Sequence, residues 1–279
     1  SKIKILFIFE PSKSCICDLN SPNITMLIQH SAFSVIGKRE NNEDYFKIFS
    51  LNANNHCFIV CDGVGGHQAG ELASKTVADA ICNFFSNSTF KHFTKDNILQ
   101  ALQFAHQQLQ HTAQQLHQPD MATTLALLAI SKHRYIKCWI GDSQIFHYNN
   151  HHQFSKINEH SYVNLLIKLG EITPEEALHH PQKNIITKAF APSSFTTPDF
   201  EIGLLKGHHR FLLCTDGFRE AFNDNAIQQL LSSDYSLQHI ATSAQQQCEH
   251  YSSDNATAIF VEVKNTFISN LFHKFVSKF

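Results

Sequence analysis

Cys57-Phe58-Ile59-Val60-Cys61-Asp62-Gly63-Val64-Gly65-Gly66-His67 joins an apolar run to an acidic residue and then to a glycine turn. Cys57 to Cys61 is short and rich in β-formers, so it reads as a strand. Asp62 then falls at the strand's end, the place where a carboxylate is held rigidly beside a backbone turn and where strand-end metal sites are built.

Four further acidic signatures join it: Arg39-Glu40-Asn41-Asn42-Glu43-Asp44, Gly141-Asp142-Ser143, Thr215-Asp216-Gly217 and Ser253-Asp254-Asn255. Most of these carboxylates lie beside runs of β-branched or aromatic residues. Taken singly, an aspartate next to glycine is a turn or cap residue. Five such placements in one chain predict several carboxylates gathered at strand ends.

Composition sets the frame. A chain of 279 residues that is 43% hydrophobic and 16% charged buries a full core and is not disordered. Its net charge of -2 supplies no basic face, so nucleic acid is not an expected partner. Cys57, Cys61, Cys138 and Cys214 fall inside apolar strand-like runs, where a free thiol acts as a small hydrophobe; the cytosol or another reducing compartment is the expectation, with export into a host cell left open. No run reaches the roughly 18 apolar residues of a membrane span, so a soluble chain is expected.

Residues 1–25, broken by Pro11 and Pro22, read as an extension, and residues 26–263 as one catalytic domain. Strands are predicted at Cys57 to Cys61, Thr124 to Ile130, Tyr135 to Ile140, Arg210 to Cys214 and Ala256 to Val263. The second and third are joined by Ser131-Lys132-His133-Arg134, which suits an antiparallel hairpin. One helix places Leu72, Val77, Ala80, Ile81 and Phe84 on a common face; a second carries Ile98, Leu102, Ala105, Leu109 and Leu116, with Asp96 as its predicted N-cap.

An all-oxygen carboxylate set selects hard divalent ions, Mg²⁺ or Mn²⁺, over zinc. Paired ions of this kind activate water and clamp phosphate. Arg39, four residues before Glu43, is the candidate anion ligand, because a guanidinium grips phosphate through two parallel hydrogen bonds.

The ordered set Arg39…Asn42-Glu43-Asp44, Asp62-Gly63-Val64-Gly65-Gly66-His67, Ala122-Thr123-Thr124, Gly141-Asp142-Ser143, Thr215-Asp216-Gly217 and Asp254-Asn255 resembles the metal-dependent serine/threonine protein phosphatases of type 2C, in their bacterial form. Glu159-His160-Ser161 through Lys188-Ala189 is similar to the flap of that family. The resemblance implies an α/β fold, a four-layer αββα sandwich of two antiparallel sheets flanked by helices. It also implies hydrolysis of phosphoserine and phosphothreonine on proteins by a metal-activated water. Asp62 would bridge two Mn²⁺ or Mg²⁺ ions, Glu43 and the Gly63 carbonyl would complete one site, and Asp216 and Asp254 the other. Asp44 would orient the attacking water, Asp142 would join Asp216 at a weaker third ion, and Arg39 would bind the phosphate.

Three positions depart from the family pattern. Gln144 replaces the usual arginine after Gly-Asp-Ser, Glu159 the usual aspartate opening the flap, and Val64 a histidine proposed as general acid in animal members. The competing class is a catalytically silent phosphoprotein-binding adaptor, against which the retention of every expected carboxylate speaks.

Two features lie outside the resemblance. His151-His152, His179-His180 and His208-His209 read as surface histidines in polar loops, and His67 as a positioning residue. Residues 264–279 carry Phe267, Ile268, Leu271, Phe272, Phe275, Val276 and Phe279 at helical spacing, predicting an amphipathic helix that packs on the domain or docks to a membrane surface or partner.

Overall fold

The computed structural model describes residues 24–64 and 68–267. Two antiparallel sheets face each other. The first has the order β1 (Ile24–Val35), β11 (Ala256–Phe267), β10 (His208–Cys214), β7 (Gln144–Asn149) and β8 (Phe154–Lys156). The second runs β2 (Asp44–Asn52), β3 (Asn55–Val64), β5 (Leu125–Ser131), β6 (Arg134–Ile140) and β9 (Asp199–Leu204), with the two-residue β4 (Ala122–Thr123) on the end of β3.

Alternation along the strands divides the apolar side chains between two faces of each sheet. Phe58, Val60, Leu128, Phe211, Leu213 and Val261 fill the space between the sheets. Cys57, Ile59 and Cys61 point the other way, onto α1 (Gln68–Ser86) and α2 (Lys95–Leu116). The outer face of the first sheet is covered by α5 (Asp216–Ala221), α6 (Asp224–Ser232) and α7 (Leu237–Tyr251) through Phe218, Ile227 and Ile240. The four-layer αββα sandwich is the observed architecture. Two short helices, α3 (Tyr162–Leu169) and α4 (Pro174–Leu178), belong to the flap.

All five predicted strands form, and β5 and β6 pair as a hairpin with Ser131 opposite Arg134. The turn is tighter than expected because Lys132 adopts a left-handed φ of 52°. Cys57, Cys61, Cys138 and Cys214 are buried free thiols. No helix among the described residues is long and apolar enough to cross a membrane.

Three expectations are corrected. Thr94, not Asp96, caps α2: its side chain accepts from the Asn97 amide while the Asn97 side chain accepts from Thr94, a reciprocal capping box. Asp96 sits in the first turn, where its charge suits the helix dipole. At the C-terminal side, β11 continues past Val263 to Phe267, paired residue for residue with β1 down to Ile24. Residues 264–267 are therefore strand, as are 24 and 25, and residues 268–279, the remainder of the predicted helix, lie outside the described residues. His208 and His209 lie in β10 rather than in a loop; His208 faces Glu262 at 2.8 Å, and His209 is 5% exposed against His147 at 2.9 Å.

Candidate active site

Antiparallel pairing brings the start of one strand beside the end of the next, and this places the acidic signatures at one end of the sandwich. Asp44 begins β2 directly opposite Asp62 near the end of β3. Asp216 follows β10, Asp254 precedes β11, and Asp142 lies in the turn between β6 and β7. Arg39, Glu43, Asp62, Gly63, Asp142, Asp216 and Asp254 all line a single cleft of about 660 Å³. Asp44 lies behind them, 7% exposed.

The backbone around Glu43 is pinned from three sides. Its amide donates to Asn255 Oδ1 at 2.8 Å, and its carbonyl accepts from the Gly63 amide at 3.1 Å and the Ser74 hydroxyl at 2.6 Å. Asn255 in turn donates to the carbonyls of Ile36 and Asn41 at 2.8 and 2.9 Å, so one amide side chain ties β11 to the segment carrying Arg39 and Glu43. Gly63 has to be glycine: a Cβ there would lie 2.2 Å from the Gly70 carbonyl oxygen in the first turn of α1. That close approach brings the Glu43 carboxylate and the end of β3 together under the helix.

Asp62 is held by its backbone. Its amide donates to Thr124 Oγ1 at 2.9 Å, and its carbonyl accepts from the Thr124 amide at 2.8 Å. The side chain stays turned into the cleft. Thr215 caps α5 in position but makes no capping hydrogen bond; its hydroxyl donates instead to Asp44 Oδ2 at 2.8 Å.

Burial, then the nearness of the other carboxylates, raises the pKa values of Asp44, Asp62 and Asp216 above the ordinary aspartate range. Asp142 is pushed up to about 7 by burial first and by Asp216 second. Arg39 is the nearest compensating charge, with Nη2 2.6 Å from Asp254 Oδ2. Among the described residues no three acidic, histidine or cysteine side chains enclose a point as they stand. The donor set nevertheless fits hard divalent ions: it consists of carboxylates and a backbone carbonyl, and crowding them in a low-dielectric cleft is relieved by positive charge between them.

One contributor escaped the sequence reading. Glu220, one helical turn after Asp216 on α5, accepts from the Ser253 hydroxyl at 2.9 Å and from the Ser253 and Asp254 amides. It brackets the two strand-end aspartates, and the i, i+4 spacing from Asp216 was the available signal. Asn184 and Ile186 of the flap form part of the cleft wall. Val64 also lines it, 40% exposed. Gln144 donates to Glu159, so two of the three departures from the family pattern are partners of one another. His67 lies outside the described residues.

The family profile of protein phosphatase 2C matches residues 34–261. The chain belongs to that family, the type 2C class of protein phosphatases that its motifs resemble, and is an enzyme of that class. It is 32% identical over 202 residues to the protein phosphatase PhpP of Streptococcus pneumoniae, covering 72% of this chain and 82% of the relative. The serine/threonine phosphatase Stp1 of Staphylococcus aureus shares the fold with a TM-score of 0.75 at 30% identity, covering 90% of this chain and 98% of that one. At 24% identity and a TM-score of 0.74, the catalytic domain of the serine/threonine phosphatase PstP, solved with two manganese ions, matches in fold over 86% of this chain and 100% of its own.

Proposed function

We propose that the protein removes phosphate from phosphoserine and phosphothreonine in proteins, the products of serine/threonine kinases, with two Mn²⁺ or Mg²⁺ ions and a weaker third. The observation that carries this reading is the crowding of Asp62, Asp142 and Asp216 at one cleft with Asp44 directly behind them, their carboxyl pKa values raised by burial and mutual repulsion. Such a set is costly unless cations sit among its oxygens.

Asp62, Glu43, the Gly63 carbonyl, Asp216 and Asp254 would hold two ions, and Asp142 with Asp216 the third. Ions bound there supply Lewis-acid charge and lower the pKa of a water. Asp44, held by the Thr215 hydroxyl, would orient the attacking water. Arg39, its side chain 60% exposed at the mouth of the cleft, swings from Asp254 to the substrate phosphate. The silent-adaptor alternative has no supporting observation.

The test is phosphate release from a phosphothreonine peptide by the full chain with Mn²⁺ or Mg²⁺, with chelator, and in Asp216→Asn. Release is expected with either ion, none with chelator, and a loss of several orders of magnitude in the variant. Undiminished turnover by chelated protein overturns the ionic mechanism, and absence of turnover with both ions overturns the function.

A further inference from the structure

His160 ties together three parts of the chain that are far apart in sequence. Its amide donates to the Gly141 carbonyl at 2.8 Å, and the Gly141 amide donates back to His160 Nδ1 at 3.1 Å. This two-way contact holds the turn that carries Asp142. The backbone carbonyl of His160 accepts from both the amide and the hydroxyl of Thr187, at 2.7 and 3.0 Å, near the far end of the flap. Its Nε2 lies 2.9 Å from Asp199 Oδ2 at the start of β9.

These partners decide the tautomer. A backbone amide only donates, so Nδ1 must accept, and the proton resides on Nε2, where it is given to Asp199. The ring is 7% exposed and stacks on Trp139 with centroids 6.5 Å apart. Thr187 follows Ile186, which with Asn184 forms the flap side of the cleft, while Asp142 lies on its catalytic side.

We propose that His160, seated on Asp199, is a positioning residue that registers the flap against the Asp142 turn, so that a phosphoprotein touching both walls of the cleft is turned over. The proposal rests on the function proposed above. A phosphopeptide long enough to reach Asn184 and Ile186 depends on that registration. A small aryl phosphate, which needs only the carboxylate end and Arg39, does not.

The experiment compares kcat and KM for a phosphothreonine peptide and for para-nitrophenyl phosphate in the wild type, His160→Ala, Asp199→Ala and Asp199→Asn, with thermal melting of each. His160→Ala and Asp199→Ala are expected to lose at least tenfold in kcat/KM for the peptide while staying within threefold for the aryl phosphate. Asp199→Asn, whose Oδ1 still accepts from Nε2–H, is expected to stay near the wild type on both. If His160→Ala does not fold, Asp199→Ala still severs the outer contact with the ring left in place. Equal losses on both substrates, no loss on either, or an Asp199→Asn variant as impaired as Asp199→Ala would each overturn the latch. A wild-type protein inert toward the peptide overturns the underlying function instead.

Discussion

Arg39 Nη2 lies 2.6 Å from Asp254 Oδ2 across 215 residues of sequence, pairing the candidate phosphate ligand with a candidate ion ligand. The guanidinium and a divalent cation would thus address the same carboxylate. Arg39 is well exposed, so the pair itself contributes no more than about 1 kcal/mol.

Arg39→Ala is therefore expected to have two separable effects. The KM for a phosphothreonine peptide should rise by on the order of 2 kcal/mol, about thirtyfold, through loss of a charge-assisted contact. Calorimetric Mn²⁺ affinity should hold or rise by up to about fivefold, because a competitor for Asp254 is gone. Full recovery of KM in Arg39→Lys would show that a point charge suffices and that the two-bond grip is wrong.

Gly37 supports the same aspartate through the backbone. Its φ is +62°, and a Cβ would fall 2.1 Å from the Asp254 carbonyl oxygen. Gly37→Ala should cost about 3 kcal/mol from left-handed strain and overlap, read as a lower urea midpoint, and should weaken Mn²⁺ binding as the turn shifts. A variant with unchanged midpoint and affinity would contradict this account.

Asp142 enters the carboxylate cleft from the turn between β6 and β7, on the Asp216 side. Asp142→Ala is expected to keep two bound Mn²⁺ ions by calorimetry yet turn over phosphoprotein poorly. Loss of all bound ions would make it a primary ligand.

The histidine pair between the sheets makes stability depend on pH. Burial, then the charge of Lys137 and the neighbouring His209, lowers the His147 pKa from 6.5 to about 3. The unfolded chain therefore binds a proton that the folded chain refuses between those values. Stability is full above pH 6.5 and falls as pH drops toward 3. At pH 5 the loss from this one group is about 2 kcal/mol. Between pH 7 and pH 5, urea unfolding should show about 2 kcal/mol less acid destabilisation in His147→Phe than in the wild type; the variant retains the stack on Phe211 at 4.2 Å. An unchanged pH difference would place the titration elsewhere.

What the sequence by itself determined was local. β-branched and aromatic runs ending in Asp62 or followed by Asp216 announced strands with carboxylates at their ends, because strand periodicity and the glycine turn are both written within a few residues. The order of those motifs was enough to indicate the family, the αββα layers and the candidate ligands. Neither Asp96 against Thr94 nor the end of β11 was legible in the same way. A capping box depends on which hydroxyl and amide meet, and Lys264 to Phe267 has a spacing that suits a helix until β1 supplies twelve paired residues from Ile24 to Val35. The tertiary structure alone decided the electrostatics: Arg39 on Asp254, Glu220 on the Ser253–Asp254 turn, His209 buried on His147, and His160 between Gly141 and Asp199. Burial and charge act through space, and antiparallel pairing of strands more than two hundred residues apart leaves no mark on the local pattern of either one.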